Sequence, residues 1–177
     1  MNPVDLLKLQ AEMAYTQLQD ALKGVTQSEA YARLESADDD YLHSDGSIYG
    51  QALHIASGAM MYGSCAFRNQ EITYRDVAAK LDEFEPDWEA TLKFLGEAHR
   101  YFMASWADLR PEDLEKEFGT IWGKQWPAWK IIETVNQHNA YHAGQIAAIR
   151  YATIGSDAIP ESYAEDIRKY CPELPSW

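Results

Sequence analysis

The sequence predicts an all-α protein, a four-helix bundle in a single domain with a short C-terminal extension. Three observations lead there. Four long segments space their apolar residues at alternating intervals of three and four, the repeat of one buried helix face. Prolines stand where the first, third and fourth of these segments begin, and glycines where the first and last of them end. No strand-like alternation competes, and no unit of 20 to 50 residues recurs. A length of 177 residues with 46% hydrophobic content suits one domain, since a domain typically takes roughly 150 residues. The domain is accordingly 1–177, with the bundle over about 1–155 and a tail over 156–177.

Helix one spans about Pro3 to Gly24, with Val4, Leu7, Ala11, Ala14, Leu18, Ala21 and Val25 as its stripe. Pro3 suits a first turn, where a missing N–H is harmless, and Gly24 suits a C-terminal stop. A polar connection follows from Val25 to Asp45. Its Asp38-Asp39-Asp40 run lacks the spacing of a calcium loop and reads as a solvated turn. Helix two, about Ser47 to Phe67, aligns Gln51, His54, Gly58, Met61 and Cys65 on one stripe. Arg68 to Glu85 is a charged connection with a short helix expected near Asp76 to Leu81.

Pro86 is expected to open helix three, in which Trp88, Leu92, Leu95, His99, Phe102, Trp106 and Leu109 form a heptad-like seam. Arg110-Pro111-Glu112-Asp113 ends it. After an aromatic, turn-like stretch from Phe118 to Trp126, Pro127 begins helix four, about Ala128 to Ala152. Its inward stripe reads Ala128, Ile131/Ile132, Val135, His138/Asn139, His142, Gln145/Ile146 and Ile149, so polar side chains replace aliphatic ones at mid-helix. Gly155 closes it, and one more helical turn is expected near Tyr163 to Lys169.

With 28 acidic and 15 basic residues, the chain carries 13 excess negative charges, which disfavours nucleic acid and anionic membrane surfaces as partners. Cys65 and Cys171 are too few for a disulfide framework, and the N-terminus has no basic then apolar leader, so a reduced, cytoplasmic protein is expected. Between Asp45 and Arg68 no side chain is formally charged, over a length approaching a membrane span. Gly50, Gly58 and Gly63, three serines, Gln51 and His54 make it a poor one. It reads instead as a helix buried by protein on most faces.

His138-Asn-Ala-Tyr-His142 carries the chemistry. Imidazoles four apart on a helix lie one above the other and can reach a single metal ion. His54, mid-helix on a buried stripe, is the best third ligand, with His99 as the rival. For each ring the plainer alternative is a hydrogen-bonded core histidine; His43, in a polar loop, reads as solvated. Burying several imidazoles without partners is costly, which favours a metal. The helical zinc-protease motif needs Glu where Asn139 stands, so peptidase chemistry is not expected, and no nucleophile elbow, phosphate loop or dinucleotide fingerprint occurs. Cys65, about 16 Å along the helix from His54, is too far to share an ion. Trp122, Trp126, Trp129 and Tyr141 are candidate pocket walls or ordinary packing aromatics. Gln145 is a candidate for orienting a ring or substrate, or for a plain structural hydrogen bond.

The histidine on helix two, the run His138-Asn-Ala-Tyr-His142-Ala-Gly144-Gln145-Ile146, Arg150 after it, and Asp113-Leu114 before it occur in an order that resembles the DinB-like (YfiT-like) metalloenzyme family. The resemblance covers roughly Met1 to Gly155. It implies an up-down-down-up bundle, often homodimeric, with a divalent metal on His54, His138 and His142 at one end. It also implies thiol-dependent transferases and isomerases that use small thiols such as bacillithiol or mycothiol. The chain departs from the commoner pattern at Tyr141, where histidine is frequent, and at Ala143, where arginine is frequent.

The function expected is a metal-dependent transferase or hydrolase whose nucleophile is a small thiol or water. Three neutral imidazoles would leave the ion its full charge, as Lewis-acid chemistry needs. Imidazole suits zinc and nickel, and manganese or iron can also bind it. The competing expectation is a non-catalytic, stress-associated dimer in which the metal ties helix two to helix four.

Overall fold

The computed structural model describes residues 2–34, 46–82 and 87–154. The expectations for Asp38 to Asp40, His43, Pro86, Cys171 and the tail helix lie outside the described residues. Within them the chain is mostly helical: α1 (Pro3–Leu22), α2 (Gln27–Tyr31), α3 (Ile48–Phe67), α4 (Tyr74–Asp82), α5 (Trp88–Ser105) and α6 (Ala128–Ile154), with a small hairpin of β1 (Glu117–Gly119) and β2 (Gln125–Pro127). No helix of the described residues is long and apolar enough to cross a membrane.

Three of the four long helices, α1, α3 and α5, begin where a short polar side chain takes up an orphan N–H of the first turn. Asn2 accepts from Asp5 N at 2.9 Å, ahead of Pro3. Ser47 accepts from Gly50 N at 2.9 Å, and Asp87 from Ala90 N at 3.1 Å. Just past the C-terminus of α1, Gly24 adopts φ +73°, a left-handed conformation that favours glycine. The polar connection after it holds a helix that periodicity does not reveal. Thr26 and Glu29 form a capping box, each side chain bonding the other's backbone N–H, and nucleate the single turn and a half of α2.

Two other expectations are corrected. The stretch from Phe118 to Trp126 is not simply a turn: Glu117 pairs with Pro127 and Gly119 with Gln125 in an antiparallel hairpin. Pro127 is therefore the last strand residue, and α6 begins at Ala128. The buried face of α5 is also broader than the expected seam, of which Trp88, Leu95, His99, Phe102 and Trp106 are buried as expected. Leu92 is exposed, whereas Thr91, Phe94 and Ala98 are buried, and the helix ends at Ser105, before Trp106 and Leu109. A face wider than a two-position stripe is the usual pattern when a helix packs on more than one neighbour.

Helix α3 packs along both α5 and α6, while α1 packs along α6 and more lightly on α5. Leu18, Ile48, Ile55, Phe94, Phe102, Ile131, Ile132, Ile146 and Ile149 are fully buried among the four. The uncharged composition of α3 follows from that position. Small residues let its neighbours approach: a Cβ at Gly63 would lie 3.0 Å from Ser105 Oγ on α5, and one at Gly58 would lie 3.2 Å from His138 Cε1 on α6. Arg150, buried on α6, donates to the carbonyl of Ala21 at 2.9 Å and so serves an orphan acceptor in the last turn of α1.

Candidate metal centre

The chain register between α3 and α6 builds the site. His138 and His142, one turn apart on α6, stand with ring centroids 4.3 Å apart. His54 on α3 meets both, with its ring 4.9 Å from that of His138 and 4.7 Å from that of His142. Nε2 of His54 and Nε2 of His138 are 2.9 Å apart. One ligand atom from each of the three rings lies within 4.8 Å of the others. His142 is buried at 1% exposure, while His54 and His138 are half-buried, so the cluster has one closed and one accessible side.

The donor set fits a divalent metal. At zinc–nitrogen bond lengths near 2.05 Å, two ligands of a tetrahedral ion lie about 3.3 Å apart. The 2.9 Å contact and the 4.8 Å outer limit bracket that separation. The group contains no carboxylate or thiolate, so these three residues add no negative charge to an ion they hold. All three sequence-selected ligands are thus brought together.

One partner of the site was not singled out by sequence. Gln51, fully buried on α3 one turn before His54, places Oε1 2.7 Å from Nδ1 of His142. It was visible on the same stripe as His54, but which ring it faces depends on the α3–α6 register. Gln145, the residue proposed for such a role, instead donates to the hydroxyl of Tyr141 at 3.0 Å, within α6. Tyr141 is half exposed and sets its ring edgewise against His142, with centroids 5.1 Å apart.

The remaining candidates sit elsewhere. His99 is no third ligand: it stacks flat on Tyr15 of α1, with centroids 3.8 Å apart and planes 3° from parallel, and its Nε2 lies 3.4 Å from Glu12 Oε2. Burial lowers its pKa from the ordinary value, against an opposing pull from Glu12. Trp122 and Trp126 are gathered at Tyr62, with Trp122 5.4 Å from the Tyr62 ring and 5.1 Å from that of Trp126. Tyr62 follows His54 by eight residues, about 12 Å along α3, so this aromatic cluster belongs to the hairpin end. Burial pushes the Tyr62 phenol up to about 12. Lys130 Nζ lies 4.2 Å over Trp126, and Trp129 is exposed. Cys65 carries a free, half-buried thiol whose pKa burial raises, and it is not part of the histidine group. Asp113 has a structural role ahead of the hairpin: Lys116 and the Arg110 backbone N–H donate to its carboxylate and hold it down at about 2.

A mostly helical chain whose second long helix supplies one histidine to a pair four apart on the last defines a histidine-clustered helical protein. The family model of the DinB superfamily matches residues 10–146, a span that contains all three histidines, and the chain belongs to that superfamily. Among solved structures it is similar to a mutant of the mycothiol-dependent maleylpyruvate isomerase. The two share 14% identity and a TM-score of 0.58, over 98% of this chain and 73% of that one. At that identity the likeness shows the fold alone. No curated protein matches the chain in sequence.

Proposed function

We propose that the protein is a metal-dependent enzyme, a transferase or hydrolase, that holds a divalent ion through His54, His138 and His142 and takes a small thiol, or water, as its nucleophile. The observation that carries this reading is the convergence of three imidazoles from two helices, within 4.8 Å of one another, with one side buried and the other accessible. A divalent ion bound there supplies Lewis acidity, lowering the pKa of a coordinating thiol or water and polarising a substrate oxygen. Half-buried His54 and His138 mark the side from which a small molecule reaches the group. Tyr141, ring-to-ring with His142 and half exposed, borders that approach.

The thiol class is supported by membership of the DinB superfamily and by the mycothiol dependence named for the similar isomerase. We also assign the up-down-down-up order to the four long helices. The contacts Gln51 to His142 and His54 to His138 step in opposite senses along α3 and α6. Those of Tyr15 with His99 and of Val25 with Trp88 do so for α1 and its continuation against α5. Both support that order.

The test is metal content by elemental analysis of the purified chain and of His54→Ala, His138→Ala and His142→Ala, with thermal unfolding of each. The wild type is expected to retain one divalent ion, zinc or nickel first, and the variants to lose it. At a metal concentration a hundredfold above Kd the ion stabilises by about 2.7 kcal/mol, which for a chain of this size raises Tm by roughly 5 to 10 °C. Adding mycothiol or bacillithiol to the cobalt-loaded protein should change its visible absorption. A wild type that takes up no divalent ion even after loading overturns the metal reading. A metal that raises Tm but ignores thiols favours an ion that merely ties α3 to α6.

A further inference from the structure

We propose that Gln51 is a positioning residue: it fixes His142 in the tautomer that carries its proton on Nδ1 and its electron pair on Nε2. The inference rests on the metal reading above and extends it to a residue outside the ligand set. Gln51 is 0% exposed and His142 1% exposed, so neither side chain can turn to water for a partner. A buried amide or imidazole left without one would be costly. Their contact is short, 2.7 Å between Oε1 and Nδ1, and a carbonyl oxygen can only accept, so the ring nitrogen facing it donates. A neutral imidazole has a single N–H. Once that N–H is committed to Gln51, Nε2 is the atom left to coordinate.

The helix geometry explains why this position does the job. Gln51 and His54 are three residues apart on α3 and share one face, so the same turn that supplies one member of the cluster orients another. It also explains the side-chain type. An amide oxygen orients the ring without adding charge, whereas a carboxylate there would raise the basicity of the imidazole and weaken the Lewis acidity of a bound ion.

The experiment compares the full-length protein with Gln51→Leu, Gln51→Met and Gln51→Glu, in the metal-free form at pH 8.5 by nitrogen-15 NMR of the imidazoles, and by titration with cobalt(II). The wild type should show His142 as the Nδ1–H tautomer. Gln51→Leu should lose that signature and bind cobalt about 10- to 100-fold more weakly, with unchanged helical circular dichroism. Gln51→Glu should restore both the tautomer and the affinity. If Gln51→Leu does not fold, Gln51→Met, similar in shape and lacking a comparable acceptor, takes its place. A wild-type His142 protonated on Nε2, or a folded Gln51→Leu or Gln51→Met with unchanged tautomer and cobalt affinity, overturns the proposal. If the wild type binds no cobalt at all, the metal reading fails separately, and the tautomer of the metal-free ring still decides the role of Gln51.

Discussion

Replacing Gly58 by alanine should move stability and metal affinity in opposite directions. Gly58 lies inside α3, where alanine is favoured over glycine by about 0.8 to 1.0 kcal/mol. In the metal-free protein the half-buried His138 ring can swing toward solvent to relieve the new contact, so the variant should gain up to about 1 kcal/mol, or roughly 2 to 4 °C in Tm. The added methyl would sit 3.2 Å from Cε1 of His138, whereas carbon atoms pack comfortably at about 3.5 to 4.0 Å. The ring must retreat by at least about 0.3 Å to restore that spacing. Its Nε2 is already 2.9 Å from that of His54, so the displacement alters the relation of the donor atoms rather than being absorbed by empty space. Metal–ligand distances tolerate only about 0.2 Å. The affinity for cobalt or zinc should then fall about tenfold, equivalent to about 1.4 kcal/mol. Thermal unfolding in chelator measures the first effect, and titration against a competing chelator the second. A variant that is more stable without metal yet binds it as tightly as the wild type refutes the argument, because His138 would then have room that the close approach of α3 and α6 denies it.

Two further outcomes follow from groups away from the cluster. Burial holds the His99 pKa below its ordinary value, so the unfolded chain takes up this proton first as the pH drops. The contribution is neutral above the unfolded value near 6.5 and turns destabilising as pH falls through and below it. His99→Gln should flatten the decline in urea midpoint between pH 7.5 and 5.5; an identical decline in both proteins would rule out His99 as a source. Trp88 Nε1 donates to the carbonyl of Val25 at 2.9 Å in a buried contact joining the start of α5 to the segment after α1. Trp88→Phe leaves that carbonyl without its indole donor and should cost about 1 to 3 kcal/mol, read from the urea midpoint. A midpoint unchanged from wild type would show that the contact contributes nothing.

What the sequence makes legible depends on how far apart in the chain the causes of a feature lie. The long helices are written locally: Val4, Ala11, Ala14 and Leu18 each report the buried side of α1, and the structure buries all four. The His138–His142 pair is equally local, because a separation of four on a helix already sets two rings together. Short elements escape because three residues, as in β1 or β2, contain no period to detect. The box of Thr26 and Glu29 at α2 was readable as a motif but is invisible to a search for stripes. The bond between Gln51 and His142, 91 residues apart, belongs to another category. Both residues lie on faces that could be called buried, yet their meeting depends on the axial register of α3 against α6. Slipping one helix by a single residue shifts its side chains about 1.5 Å along the axis and 100° around it, enough to separate the pair. His54 and His138 meet through that same register, and Gly58 permits the approach that holds it. The cluster is therefore a property of how two helices pack, and a mutation that changes their packing should alter its geometry even when all three histidines remain in place.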